Sequence, residues 1–92
     1  MKCFFINITE KAQLDLKKLQ KDETKAYKKA LKLIAELYEH PTTGTGHPEP
    51  LKGKPENRWS RHISDKHRLV YRVMNEEVLV LVISAYGHYD DK

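Results

Sequence analysis

Apolar and polar residues change their period along this chain, and each change marks an element. Residues 2–8 are rich in aromatic and β-branched side chains and predict a strand. Thr9 followed by Glu10 predicts a helix start, because a hydroxyl accepts an orphan amide and an acid suits the positive end of the dipole. Ala12, Leu16 and Leu19 recur on one face, so a helix of about three turns follows. Asp22-Glu23 opens a second helix, in which Ala26, Tyr27, Ala30, Leu31, Leu33, Ile34, Leu37 and Tyr38 share one arc. Lys25, Lys28, Lys29 and Lys32 occupy the other arc. Two of their pairings are like charges at i,i+4, slightly destabilising unless an anion lies outside; a solvated face is the plainer explanation.

Pro41 stops that helix. Residues 42–50, with two glycines and two of the prolines that follow, predict an irregular loop without regular structure. Two alternating stretches come next, Arg58 to Ile63 and His67 to Met74. Trp59, Ile63, Leu69, Tyr71 and Val73 form an apolar set, opposed to Arg58, Ser60, His62, Arg68, Val70 and Arg72. Opposed residues of an antiparallel pair share a face. The sets match only if the turn Ser64-Asp65-Lys66 sets Ile63 against His67 and His62 against Arg68. Arg61 then falls on the apolar face and contacts solvent only by reaching an edge. After a turn at Asn75-Glu76, Val78 to Ile83 is an unbroken apolar run, predicting a central strand buried on both faces. The fold class is α+β: a strand, two helices, then an antiparallel meander, with the helices packed on one face of the sheet.

Ninety-two residues suit one domain spanning 1–92, and no apolar run approaches the roughly 20 residues of a membrane span. The N-terminal apolar stretch is broken by Asn7, Glu10 and Lys11 and lacks a small-residue cleavage site, so a cytoplasmic protein is expected. Cys3 has no partner cysteine and is expected to be a buried small hydrophobe. Charge is clustered. Residues 41–72 hold seven basic and three acidic groups plus three histidines, whereas residues 73–92 hold one basic and four acidic groups. A basic centre predicts a polyanionic partner, nucleic acid first. Because Arg58, Arg68, Arg72 and His62 share a sheet face, their mutual repulsion calls for something negative in the groove.

Few residues offer chemistry. Glu49 stands between Pro48 and Pro50, a stiff mount for a group that must be placed before reaction, though composition alone does not separate it from an ordinary surface glutamate. His88, followed by Tyr89, comes just after the apolar strand and exchanges protons near neutral pH. No histidines have metal-binding spacing and no cysteine assists them, so no metal and no cofactor are expected. Trp59 belongs with the core, with an edge able to stack a base if exposed.

Gly44-Thr45-Gly46-His47-Pro48-Glu49-Pro50-Leu51-Lys52-Gly53, then Trp59-Ser60-Arg61, His67-Arg68-Leu69-Val70-Tyr71-Arg72 and finally His88-Tyr89 resemble the YoeB/Txe toxins of the RelE superfamily. Each fragment alone is common; four in register from Gly44 to Tyr89 are specific. His62 stands where that family commonly has a second arginine, and Ala85-Tyr86-Gly87 replaces a stretch that usually includes Cys and Arg. Phosphate binding at His62 is therefore expected to be weaker or to depend on pH.

The resemblance implies a RelE-like fold and the toxin of a type II toxin–antitoxin module, a metal-independent endoribonuclease that cuts mRNA in the ribosomal A site. By position it implies Glu49, Arg68, His88 and Tyr89 as catalytic residues; Arg58, Arg61, His62, Arg72, Lys52 and Lys54 of the basic centre are expected to bind RNA. The implied partners are mRNA, the ribosome, a YefM/Phd-like antitoxin and, for the toxin–antitoxin complex only, operator DNA; a homodimer is compatible. The lysine-rich helical arcs would contact ribosomal RNA. Two other classes fit the charge pattern: a non-catalytic RNA- or ribosome-binding module, and a ParE-like toxin that poisons gyrase by protein contact. The first would be indifferent to loss of Glu49, and the second would yield DNA breaks rather than cut mRNA.

Overall fold

In a computed structural model, residues 3–51 and 57–87 are described. Strand β1 (Phe5–Ile8) leads into helices α1 (Glu10–Asp22) and α2 (Thr24–Leu37), followed by strands β2 (Glu49–Pro50), β3 (Arg58–His62), β4 (Arg68–Met74) and β5 (Leu79–Ser84). Thr9 caps α1 as its sequence position requires. Its hydroxyl oxygen accepts the Ala12 amide at 3.1 Å and donates to the Ile83 carbonyl at 3.0 Å, so one side chain ends the strand, starts the helix and ties both to β5.

The sheet order is β1-β5-β4-β3-β2. The last four strands pair antiparallel, as the meander requires, but β1 lies parallel to β5, with Phe5 opposite Leu79 and Ile8 opposite Val82. The sheet is therefore mixed. The helical hairpin covers one face, where Ala12, Leu16, Leu19, Ala30, Leu33 and Leu37 meet Leu69, Tyr71, Val73, Val80 and Val82 in one core. Trp59 is half-buried and packs against its margin. The predicted β3–β4 register holds, with His62 opposite Arg68, Ser60 opposite Val70 and Arg58 opposite Arg72.

Four expectations need correction. Strand β5 is interior but not buried on both faces: Val80 and Val82 are fully buried, while Leu79, Leu81 and Ile83 on alternate positions are only half-buried. Residues that look like a two-sided core run instead leave an apolar stripe on the uncovered face, beside Phe5, which is 73% exposed. Cys3 is exposed rather than buried, since the sheet begins only two residues later. The 42–50 loop ends in regular pairing, with Glu49 opposite Ser60 and Pro50 opposite Trp59. Proline is tolerated there because β2 is an edge strand.

Arg61 is the largest correction. It was expected to reach RNA from an edge, yet it is 0% exposed and turns inward. Its Nε donates to the Tyr71 hydroxyl at 3.0 Å, one terminal nitrogen to Glu36 at 2.9 Å and Thr45 O at 3.3 Å, and the other to the carbonyls of His40 and Thr43. Tyr71 in turn donates to Pro41 O at 2.7 Å, and burial raises its hydroxyl pKa above the ordinary value. Hydrogen bonds from Thr45, ahead of the Arg61 charge, lower the Glu36 carboxyl. A buried cation is tolerated because its donors meet a carboxylate, a phenol and three carbonyls. The arginine thus acts as an internal bracket for the loop between α2 and β2. Glycine is needed inside that bracket. At Gly44, with φ +117°, a Cβ would collide with the Glu36 carboxylate; at Gly46, with φ +86°, it would press on the His62 carbonyl at 3.0 Å.

Replacing Arg61 with Ala should cost about 3–5 kcal/mol in urea unfolding, because Tyr71 and three inward carbonyls lose their donor at once. Arg61→Lys should recover only part of that loss, since an ammonium cannot span the fork.

Candidate functional site

The face of the sheet away from the helices carries the candidate chemistry. Strand alternation brings Arg58, Ser60 and His62 from β3 and Arg68 and Arg72 from β4 onto it, and the β2–β3 pairing adds Glu49 opposite Ser60. Glu49 reaches its place because the bracketed loop returns the chain to β3. There His62 N donates to Gly46 O at 2.6 Å, and Leu51 N to Arg58 O at 2.8 Å. The Glu49 carboxylate lies 3.8 Å from an Arg68 terminal nitrogen, with the glutamate side chain 56% exposed and the arginine 26%. That pair is loose and open to solvent. Neither group is consumed by a tight bridge.

Among the described residues, the buried side-chain polar atoms left without a hydrogen bond are Arg58 Nε, Ser60 Oγ, Arg68 Nε and Arg72 Nε. All four belong to this face. A buried donor without a partner is costly, and buried polar atoms in native proteins are nearly always satisfied. Here the deficit coincides with direct opposition of Arg58 to Arg72 and of His62 to Arg68. Acceptor-rich anions, phosphates above all, would satisfy both the missing hydrogen bonds and the unbalanced charge.

The histidines differ. His62 faces the His47 ring edge-on at 5.9 Å between centroids. Burial first, then the Arg68 charge, lowers the His62 pKa from its ordinary value of 6.5. A neutral imidazole is consequently the dominant form at pH 7. His67, expected only to start a strand opposite Ile63, is buried, its Nε2 2.6 Å from Glu23 Oε2 and its Nδ1 accepting the Gly87 amide at 2.8 Å. The bond to His67 lowers the Glu23 carboxyl. Asp15, also overlooked, is buried and accepts the Ala85 amide at 3.0 Å while pairing with Lys11 at 2.8 Å. Each had a signal in the sequence: Asp15 falls within the Ala12-Leu16-Leu19 stripe, and His67 opposes Ile63 on the core side.

Of the expected site residues, Glu49, Arg58, His62, Arg68 and Arg72 meet on one face, and Arg61 lies inside the protein. Lys52, Lys54, His88 and Tyr89 lie outside the described residues.

A family model for YoeB-like toxins of bacterial type II toxin–antitoxin systems matches residues 8–89. The chain belongs to that family. A curated YoeB toxin of Mycobacterium bovis is 43% identical over 67 residues, covering 73% of this chain and 76% of its own length. Among solved structures, a YoeB/ParE toxin from Agrobacterium tumefaciens is 34% identical and superposes with a TM-score of 0.84, covering 94% of this chain and all (100%) of its own. The YoeB of Staphylococcus aureus, 31% identical, covers 94% of this chain and 98% of its own. It is known as a dimer, with a TM-score of 0.80, and in a heterotetrameric YoeB–YefM complex, with 0.77. The YoeB-like fold thus accounts for the mixed sheet with helices on one side. No described helix is long and apolar enough to cross a membrane.

The His62 environment gives a direct check within this YoeB-family chain. Its imidazole should titrate below 6.5 in proton NMR, and Arg68→Ala should move the midpoint upward by removing a neighbouring positive charge. An unchanged midpoint would detach His62 from Arg68 electrostatically.

Proposed function

We propose that this toxin is a ribosome-dependent, metal-independent mRNA endoribonuclease that blocks translation in the cytoplasm. The observation that carries the proposal is the convergence of Glu49 and Arg68, 3.8 Å apart, on a sheet face with unsatisfied guanidinium donors. RNA supplies its own nucleophile. What the protein must add is orientation, proton transfer and stabilisation of charge on the phosphate.

In this reading Glu49 takes the proton of the 2′-OH, whose oxygen attacks the adjacent phosphorus. The bond to the 5′-oxygen breaks, and His88 gives that oxygen a proton. Arg68 stabilises the charge of the phosphorane-like transition state, and Tyr89 stacks on or hydrogen-bonds the nucleotide. The product ends in a 2′,3′-cyclic phosphate or the 3′-phosphate formed by its opening. Arg58, Arg72 and neutral His62, with Lys52 and Lys54, hold flanking RNA. Arg61 is excluded from that role by its burial.

The same face explains how the toxin is silenced. A YefM/Phd-like antitoxin with a disordered, acidic segment would fold across it and cover the guanidiniums, and the complex would be the form that binds operator DNA. The Staphylococcus aureus relative, solved both with YefM and as a dimer, supports antitoxin binding and makes a homodimer a reasonable state of the free toxin.

Inducing the chain in a susceptible bacterium and mapping mRNA 5′ ends tests the proposal. The wild type should produce discrete cuts in translated messages. Glu49→Gln should lower the cleavage rate by roughly 10²–10⁴, the usual worth of a proton-transfer group. Arrested translation with intact mRNA would indicate a non-catalytic ribosome-binding module, and DNA breaks a gyrase poison. Binding should also weaken with salt, and Arg58→Ala or Arg72→Ala should each reduce the logarithmic salt slope by about 1.

A further inference from the structure

The end of β5 is tethered more heavily than a chain leaving a sheet needs. Ala85 N donates to buried Asp15 on α1 at 3.0 Å. Gly87 N donates to His67 Nδ1 at 2.8 Å, and Gly87 O accepts from Arg68 N at 3.0 Å. Between them the Tyr86 ring lies against the His67 ring, with centroids 4.4 Å apart, and Lys18 sits 4.6 Å from the Tyr86 centroid. Helix α1, the head of β4 and one histidine ring therefore converge on three consecutive residues. The peptide whose carbonyl is gripped by the Arg68 backbone is the one that leads into His88.

The bonding around His67 defines its proton. Nδ1 receives an N–H and must carry a lone pair, so the ring proton sits on Nε2, which points at Glu23 Oε2 at 2.6 Å. Glu23 occupies the junction of α1 and α2, where it serves as the N-cap position of α2 without a side-chain cap bond. Its carboxylate is spent on the histidine instead. A carboxylate that fixes the tautomer and tilt of an imidazole, whose other nitrogen sets a third group, is a familiar arrangement for orienting a catalytic element. Here the third group is a backbone amide. The glycine itself has φ +82°, and a Cβ there would meet nothing within 4 Å, so conformation, not crowding, calls for glycine.

We propose that His67, held by Glu23 as the Nε2–H tautomer, is a positioning residue that clamps Gly87, the residue bonded to His88, against the head of the strand that carries Arg68. This inference rests on the assignment of His88 as the proton donor. His67 touches no substrate. It acts by fixing the exit of β5 against the same strand that carries the Arg68 guanidinium. A misplacement of about 1 Å in such a mount costs on the order of 10²-fold in rate.

Two measurements on the full chain decide the matter. Long-range proton–nitrogen NMR of the His67 ring should show a protonated Nε2 and an unprotonated, hydrogen-bonded Nδ1 at neutral pH, with the Gly87 amide protected from exchange. The opposite tautomer, or a rapidly exchanging Gly87 amide, overturns the clamp whether or not the protein cuts RNA. In single-turnover cleavage on programmed ribosomes, His67→Phe keeps the ring's bulk and loses the acceptor. Its rate should fall about 10- to 100-fold, while affinity for ribosomes carrying 2′-deoxy mRNA stays within about twofold. His67→Asn places an acceptor near Nδ1 and should recover a substantial part of that rate; equal rates in all three proteins overturn the proposal. If wild type shows the expected ring spectrum but cuts nothing, the nuclease assignment fails and the clamp stands as a structural feature alone.

Discussion

The antiparallel pairing of β3 with β4 is the constraint on which the rest of the molecule depends. A strand has a side-chain period of two, so one residue of slip would exchange the core set for the cationic set along its length. In the observed register Leu69, Tyr71 and Val73 enter the core while Arg58, Ser60, His62, Arg68 and Arg72 stand on the open face. Burial of the first group thereby enforces crowding of the second. The hydrophobic effect, acting on one side of the sheet, holds like charges together on the other.

That same register delivers Arg61 to the interior, where its guanidinium organises the loop that returns Glu49 to the sheet. Two neighbouring positions thus have separate tasks: His62 belongs to the surface chemistry, and Arg61 supports it from beneath. A basic run by itself gives no means of dividing them. The alternation does, since it places Arg61 on the apolar side; the error lay in expecting a long cation to escape to the edge. It stays because Glu36, Tyr71 and loop carbonyls supply acceptors, and those come from chain segments up to 25 residues away, unreadable from local pattern.

Other parts divide along the same line between local and non-local causes. The helix starts, the apolar faces, the β3–β4 register and the shared cationic face follow from periodicity and are legible in the sequence. The parallel docking of β1 on β5 is not, because it depends on where a helical hairpin returns the chain. Strand β5 misleads for a related reason: Leu79 and Leu81 have the composition of a core but lie on the face the helices do not cover. Asp15 and His67 were visible as polar residues on apolar sides. The amides of Ala85 and Gly87 that they accept are backbone groups with no sequence signature at all.

The unsatisfied Nε atoms of Arg58, Arg68 and Arg72 have a thermodynamic corollary for the free toxin. A polyanion that supplies their missing acceptors, and so prefers the folded chain to the unfolded one, would raise resistance to unfolding with the logarithm of ligand concentration over Kd. The unliganded protein would be the least stable member of such a set. Affinity for anions and fragility when alone would then be one property, seen from opposite sides of a binding equilibrium.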